Sequence, residues 1–498
     1  MMERNMVRRK VSGDELARTV SELLAAGYRL ALVAAHDDGD TLRVVYLLLA
    51  GQPDRRVELT LTTDAATPSV PSLGHLSIPA GRFEREMLDL YGVVPQGHPQ
   101  PRRLVRHGHW PQEWYPMRRD AGPPPPFPAA GRFPFLTVDG PGVYEIPVGP
   151  VHAGLIEPGH FRFSVIGESV VRLKARLWFV HRGIEKLFEG RTALDATGSV
   201  ELAERISGDS AAAHSLAYSL AVEEALGLAT PEHVHRLRAL LVELERLYNH
   251  ATDLGALAND VGFGLASAHA QHVRELLMRI NRRVTGHRLL RGAIRPGGVV
   301  LQELPEPDEL RALAREVAEI SELTLRNTVV YDRFAETAVL ASDDAHAIGC
   351  LGYVARASGL VTDSRLDQPT TALPVTPVMA TGGDVLARYT IRRDEFAASV
   401  ALACALIEDH RGPLDCACVL PPLTMTVGNS GVGIVEGWRG AIVHRVEVDG
   451  AGRITRCKVV DPSWFNWPAL PVAMADTIVP DFPLANKSFN LSYAGNDL

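Results

Sequence analysis

The spacing of apolar residues divides the chain into a short first part and a long second part. Apolar residues recur on one face of a helix over residues 12–27, and a second, shorter helix is predicted over residues 84–91. Runs rich in aliphatic and β-branched residues predict strands between these two helices. The strand-like runs cover residues 28–35, 41–49 and 56–62. We therefore predict a small α+β domain at residues 1–120.

A proline-rich stretch follows this first domain. Residues 123–126 are four consecutive prolines, with Pro128 and Pro134 close by. Such a segment is extended and semi-rigid. We expect an interdomain linker over residues 121–134 and a second domain over residues 135–498.

The second domain opens with strand-like residues at 143–148 and 160–166 and then becomes mainly helical. Several of its helical patterns are apolar around most of their circumference, which is typical of buried bundle helices. The helical patterns cover residues 168–190, 200–227, 231–259, 266–290, 308–329 and 392–409. Two late runs, 441–448 and 453–459, flank an Asp-Gly-Ala-Gly turn and predict a hairpin. The predicted fold class is α+β, with a small N-terminal α+β domain before a mainly helical large domain.

Composition and charge narrow the class of protein. The 498 residues are 46% hydrophobic and carry a net charge of −8, which argues against a nucleic-acid partner. The five cysteines form no disulfide framework, so we expect a reducing compartment. The charged first ten residues lack an apolar core, so we expect no signal peptide. No run reaches the roughly 18 apolar residues that span a bilayer, so we expect any membrane association to come through a partner.

Residues 205–214 carry the pattern of a metal-binding motif without its metal ligands. They read Arg-Ile-Ser-Gly-Asp-Ser-Ala-Ala-Ala-His. This segment resembles Arg-Ile-Cys-Gly-x-Cys-x-x-x-His, by which large subunits of nickel–iron hydrogenases bind an Ni–Fe centre. Ser207 and Ser210 stand where the two cysteines would be. A serine hydroxyl is a hard, barely acidic donor and does not replace a soft thiolate.

The first domain resembles the 30-kDa subunit of respiratory complex I in its segment 84–104. The signature there is Glu-Arg-Glu-x-x-Asp-x-x-Gly, then Gly-His-Pro, then Arg-Arg. The matching residues are Glu84, Arg85, Glu86, Asp89, Gly92, Gly97, His98, Pro99, Arg102 and Arg103. Charged side chains packed densely on a short helix and loop would make a docking surface; the alternative is a solvated charged helix.

The second domain resembles the complex I 49-kDa subunit and, more closely, the large subunit of group 4 membrane-bound hydrogenases. Fusion of both modules in one chain is typical of the formate-hydrogenlyase type. The matching stretches are 149–154, 157–161, 181–186, 243–250, 259–262, 295–298, 436–440 and 462–466.

The resemblance also implies where the functional site lies. In the hydrogenases a second cysteine pair follows at the C-terminus, and these positions map to Ser492 and Gly495. With no thiolate at either pair, we expect no Ni–Fe centre and no metal bound by this chain. Complex I instead binds a quinone with a loop histidine and a tyrosine. The tyrosine position falls on Gly208, which leaves Tyr218 or Tyr493 as a substitute.

The remaining polar residues of this cavity are the candidate catalytic set. They are His152, Glu157, His160, Arg205, Asp209, His214 and Arg439. Arg205 lies four residues before Asp209, so we predict a buried ion pair between them, either a structural pair or a proton-handling one. We expect Arg439 to lie above the cavity, where it could equally be a supporting residue.

The resemblance implies a peripheral-arm subunit of a membrane-bound, hydrogenase-related oxidoreductase, on the cytoplasmic face of the cell membrane. The implied partners are an iron–sulfur small subunit, a ferredoxin-like subunit and integral-membrane antiporter-like subunits. No cofactor is expected to bind directly except a quinone, and the iron–sulfur clusters would lie in the partners. Three hypotheses stay open: electron transfer to quinone or another acceptor without nickel, a non-catalytic scaffold that couples to ion movement, and an active hydrogenase with unusual ligands. Ligand softness disfavours the third.

Overall fold

The computed structural model describes residues 5–127, 133–152, 156–416 and 429–498. Its first module is a four-stranded sheet with two helices, and the strand order is β1-β4-β3-β2 with β1 parallel to β4. The elements are β1 Asn5–Lys10, α1 Gly13–Ala25, β2 Arg29–Asp37, β3 Thr41–Ala50, β4 Arg55–Asp64, β5 Ser69–Pro71, α2 Ile78–Tyr91 and β6 Val94–Gln96. The predicted strands and both predicted helices are confirmed, and the α+β class with them.

A three-stranded antiparallel sheet opens the second module, in the order β7-β8-β9. Its strands are β7 Val143–Val148, β8 His160–Ile166 and β9 Ser169–Arg176. The helix predicted over 168–190 is therefore wrong, because Gly167 adopts a left-handed turn that folds the chain back and pairs Ile166 with Ser169. Only a short helix, α3 Ile184–Phe188, forms in that stretch.

Helices of four to 29 residues follow in the second module. They are α4 Glu201–Glu204, α5 Ala211–Leu226, α6 Glu232–Asp260, α7 Gly264–Thr285, α8 Pro307–Arg326, α9 Thr328–Phe334, α10 Ser342–Ile348, α11 Gly352–Ala357, α12 Ser364–Asp367 and α13 Val385–Glu408. Helix α6 packs against α7 and α13, and α8 packs against α13. Among these described helices none is both long and apolar enough to cross a membrane.

A further antiparallel sheet near the end of the chain packs against helix α5. The elements that complete the chain are β10 Ile294–Arg295, β11 Gly298–Val300, β12 Asp415–Cys416, β13 Asn429–Gly437, β14 Gly440–Val448, β15 Ile454–Val460, α14 Pro462–Asn466, α15 Ala469–Ala473, α16 Phe482–Phe489 and α17 Tyr493–Asn496. The β14–β15 pair confirms the predicted hairpin. A Cβ at Gly433 would collide with the carbonyl of Ala217, so only glycine lets α5 lie this close to β13.

Charged residues of the 84–104 segment bind the first module to the second. Glu84 and Asp89 are buried rather than solvated, and the Asp89 carboxylate accepts the backbone N–H groups of residues 104–106. Glu86 forms an ion pair with Lys458 on β15 at 2.8 Å. The docking interpretation therefore holds within the chain itself, and the solvated-helix alternative does not. Linker residues 128–132 lie outside the described residues.

Candidate functional site

The segment 205–210 forms a tight loop between α4 and α5. Ser207 and Ser210 are buried, whereas Gly208 between them is exposed. The Ser207 hydroxyl donates to Oδ1 of Asp209 at 2.9 Å. The loop thus presents hydroxyl and carboxylate oxygens at the base of α5.

The end of the chain meets this loop. Oγ of Ser492 lies 2.8 Å from Oγ of Ser207, and because the Ser207 proton is directed to Asp209, the Ser492 hydroxyl is the donor. The N–H of Gly495 donates to Oγ of Ser492, which caps the short helix α17. Two of the positions that were aligned with thiolate ligands, 285 residues apart, are therefore in direct contact.

The ion pair of the site joins Asp209 to Arg439, so the predicted Arg205–Asp209 pair is wrong. The two terminal guanidinium nitrogens of Arg439 donate to the Asp209 carboxylate at 2.7 Å. Arg205 points outward and pairs with Glu201 at the surface. The chain turns at residues 206–210 instead of continuing as a helix, so the spacing of four residues does not bring Arg205 and Asp209 together.

Electrostatics favour the charged forms of this pair. Burial alone would favour a protonated Asp209, but the charge and hydrogen bonds of Arg439 outweigh it and lower the pKa of that carboxyl. The pKa of Arg439 is raised, because the charge and hydrogen bonds of Asp209 outweigh the cost of burying the guanidinium. The pair is ionised at neutral pH.

Three donors converge on the backbone carbonyl of Asp209. They are the Tyr248 hydroxyl at 3.3 Å, the Asn249 amide at 2.8 Å and the Trp438 indole at 3.0 Å. The guanidinium of Arg439 lies over the Trp438 ring at 3.9 Å. Tyr248, Asn249 and Trp438 lie within the matching motif stretches. The motifs do not predict their contacts with Asp209, because these depend on the packing of α6 beside the loop.

Glu245 is a further titratable group at the site, and the sequence pattern did not predict its role. Its carboxyl accepts the N–H groups of Ala212 and Ala213 in the first turn of α5, at 2.7 and 3.1 Å. Burial raises the pKa of Glu245 to about 8. A proton-carrying group therefore lies at the first turn of α5, directly after the loop that carries Asp209.

His214 is fully buried and belongs to a chain of three titratable side chains. Its Nε2 lies 3.2 Å from Oδ2 of Asp461, and its Nδ1 lies 3.0 Å from Nε2 of His444. Burial lowers the pKa of His444, so that ring is neutral. Asp461 holds His214 in place and also borders Gly495.

Residues 149–152 and 156–160, called here the histidine loop, carry His152 and His160, and Glu157 and Gly159 among them contact the C-terminal segment. Nδ1 of His160 bonds with the carbonyl of Gly149 at 3.1 Å. The Nε2 atoms of His152 and His160 are both buried and lack a hydrogen-bond partner in the described part of the chain. Two imidazole nitrogens are thus available to a ligand at this loop.

Glu157 and Tyr493 complete the contact between this loop and the C-terminal segment. Glu157 accepts the N–H of Ala494 at 3.1 Å, and the Tyr493 ring fills the space beside Gly159. Tyr218 is buried elsewhere and donates to a carbonyl in the segment before α4. Of the two tyrosines left open, Tyr493 is therefore the one beside the histidine loop.

Known sequence families cover both modules. The family described as respiratory-chain NADH dehydrogenase, 30 Kd subunit, matches residues 10–125, and the 49 Kd subunit family matches residues 260–419. Formate hydrogenlyase subunit 5 of Escherichia coli (strain K12) is 32% identical over 91% of this chain and 81% of its own length. Hydrogenase-4 component G of the same organism is 32% identical over 87% and 75%.

A solved structure supports the fold. It is described as the structure of the membrane-bound sulfane sulfur reductase (MBS), an archaeal respiratory membrane complex. One chain of that complex superposes on this chain with a TM-score of 0.65 at 24% sequence identity. The superposition covers 72% of this chain and 99% of that chain. The resemblance drawn from the motifs is confirmed. The chain belongs to the group 4 hydrogenase-like family in which a complex I 30-kDa-type module is fused to a 49-kDa-type module.

Proposed function

We propose that the chain is a peripheral-arm subunit of a membrane-bound, hydrogenase-like or complex I-like oxidoreductase, and that its site transfers electrons to a quinone or another acceptor without an Ni–Fe centre. The relatives named for formate hydrogenlyase and hydrogenase-4 support membership in such a complex. The observation that carries the proposal is the 2.8 Å contact between Ser207 and Ser492, where thiolates would have to meet.

The donor chemistry of this site does not fit an Ni–Fe centre. Ser207, Ser210 and Ser492 offer hard hydroxyl oxygens, and a low-valent nickel–iron centre requires soft thiolates. The guanidinium of Arg439 already lies beside the only carboxylate of the loop and carries a positive charge. A second cation there would be repelled.

The histidine loop supports a quinone-type acceptor. Burial lowers the pKa of His152, so its ring is a neutral imidazole that can donate or accept one hydrogen bond. Within the described residues neither Nε2 has a hydrogen-bond partner. His152 can donate its Nε2 proton to a quinone carbonyl oxygen, whereas His160 donates its Nδ1 proton to the Gly149 carbonyl and so presents Nε2 as an acceptor for a hydroxyl of the reduced quinone. Tyr493 lies nearby.

Electrons and membrane attachment would come from partners. Fe–S clusters require groups of cysteine thiolates, and the four cysteines in the described ranges form no metal-binding group. We therefore propose an iron–sulfur small subunit and a ferredoxin-like subunit as electron donors. Integral-membrane antiporter-like subunits would hold the chain at the cytoplasmic face of the cell membrane.

A scaffold that couples conformational change to ion movement is the second candidate. It is favoured by the way the polar groups of the loop satisfy one another: Asp209 pairs with Arg439, and Ser207 bonds with Ser492. In that case the site would transmit movement without reducing an acceptor.

The test uses the complex purified with its partners. We expect nickel far below one atom per chain, and stoichiometric nickel would contradict the proposal. We expect His152→Gln and His160→Gln to lower quinone reduction about tenfold or more, as the loss of a positioned acid–base group does, whereas the exposed His346→Gln is the matched control. Unchanged rates in both variants would place the acceptor elsewhere. Reduced clusters with no acceptor turnover in the unmodified complex would favour the scaffold.

A further inference from the structure

Two segments far apart in sequence meet at the site: the loop 205–210 and the tail segment, residues 490–497. The tail segment is held on several sides by side chains from other elements. Arg182 donates to the carbonyl of Ala494 and also to the carbonyls of Arg205 and Ile206 in the loop. Asp497 accepts the N–H of Val180. Trp467 donates to the carbonyl of Ser492, and Ser463 accepts the N–H of Ser492. Such a segment is folded into the molecule rather than laid on its surface.

Arg439 connects the loop to the tail segment directly. Its two terminal nitrogens bind the Asp209 carboxylate, and its Nε donates to the carbonyl of Asn490 at 2.6 Å. The hydrogen bond between Ser207 and Ser492 is a second connection between the same two segments. The loop side of both connections is held firmly, because three donors fix the Asp209 carbonyl.

A metal ion with ligands from both segments would place a positive charge between the loop and the tail segment and would hold them together. The guanidinium supplies that charge from within the chain, with directional hydrogen bonds in place of metal–ligand bonds. We infer that Arg439, held between Asp209 and the Asn490 carbonyl, closes the site in place of a metal, so that the tail segment is fastened to the loop by protein groups alone. This inference rests on the nickel-free part of the proposed function.

Hydrogen exchange of the tail segment tests this closure without any activity measurement. The complex is washed with a chelator, and exchange of residues 490–497 is followed by mass spectrometry. Arg439→Lys keeps a positive charge but loses the bidentate geometry, and Asp209→Asn removes the counter-charge. We expect each to speed exchange of these amides about 10- to 100-fold, since a local opening replaces a closed segment. Arg205→Lys, in an exposed pair, is the matched control and should change nothing.

A cross-link provides the reverse test. The two hydroxyl oxygens of Ser207 and Ser492 are close enough that Ser207→Cys with Ser492→Cys should form a disulfide when treated with oxidised glutathione. In the Arg439→Lys background this disulfide should restore slow exchange of the tail segment, and Ser207→Cys alone should not. Restoration by the cross-link would assign the lost protection to the connection between loop and tail rather than to a general loss of stability.

Two results would overturn the inference. The first is unchanged exchange of residues 490–497 in both Arg439→Lys and Asp209→Asn. The second is uptake of nickel or iron by the chelator-washed complex that slows this exchange further. Failure of quinone reduction would bear on the acceptor and leave the closure intact, so the two proposals fail separately.

Discussion

The strength of the Asp209–Arg439 pair can be measured with a double-mutant cycle. The changes are Asp209→Asn, Arg439→Met and their combination. The side chain of Arg439 is 4% exposed and that of Asp209 is 38% exposed, so the pair lies between a buried and a surface ion pair. Two unit charges 4 Å apart attract by about 4 kcal/mol at an effective dielectric constant near 20. After discounting for the partly exposed carboxylate, we expect a coupling energy of about 1.5–3 kcal/mol.

The two single variants should differ from each other. Asp209→Asn leaves a guanidinium buried without its counter-charge, so we expect a loss of about 2–4 kcal/mol of unfolding free energy. Arg439→Met leaves Asp209 with the Ser207 hydroxyl and partial contact with water, but it also removes the hydrogen bond to the Asn490 carbonyl and the contact with the Trp438 ring, so its loss should be larger. Urea unfolding followed by tryptophan fluorescence measures both, because Trp438 contacts the pair.

The control cycle uses the exposed Glu201–Arg205 pair, four residues apart with side chains 43% and 58% exposed. Its coupling should not exceed about 0.5 kcal/mol. The pH dependence supplies a sign check: the pKa of Asp209 is lowered, so the coupling is fully present above the unfolded-state value of about 3.9 and is lost as the pH falls through the folded-state value. A coupling at pH 7 no larger than that of the control would refute this account of the site.

Three further changes test the surrounding structure. Lys458→Met should cost about 3–5 kcal/mol of unfolding free energy, because it removes the buried cation that pairs with Glu86 and with the buried Glu185. Lys186→Met in an exposed pair should cost little in the same urea titration. The folded-state pKa of Glu245 is raised to about 8, so stability should fall as pH rises from about 4.3 to 8, and Glu245→Gln should flatten that slope in denaturation between pH 5 and 8. The folded-state pKa of His36 is lowered to about 4, so stability should fall as pH drops from about 6.5 to 4, and His36→Gln should weaken that acid sensitivity in the same assay.

Local patterns predicted the elements that are decided locally. Strand β3 follows from its run of aliphatic and β-branched residues, and the hairpin β14–β15 follows from two such runs around a turn sequence. Helix α6 follows from its helical pattern. The strand β9 does not, because pairing with β8 decides its conformation and its own residues also suit a helix. Local periodicity does not contain the information about which strand a segment will meet.

The candidate site shows the same division. The positions of Ser207 and Ser492 could be aligned from motifs, and they do lie together. The partner of Asp209 could not be found from spacing, because Arg439 reaches it across 230 residues from the turn between β13 and β14. The buried contact of Glu245 with the first turn of α5 depends on helix packing, which the sequence pattern does not specify.

Gly495 indicates that this site is built around its own chemistry and is more than a metal site with its cysteines replaced. A Cβ at Gly495 would lie 2.6 Å from the Asp461 carboxyl carbon, so no side chain fits there without moving Asp461. Asp461 cannot move freely, since it binds His214 and accepts the N–H of Ser463. Gly495→Cys should therefore cost about 1–3 kcal/mol in urea unfolding, as overpacking does. Gly208→Cys meets open space and is the matched control. Equal stability of these two variants would show that the position is open to a side chain, whereas the expected difference means that a thiol placed at Gly495 would have to displace Asp461 from His214 and Ser463.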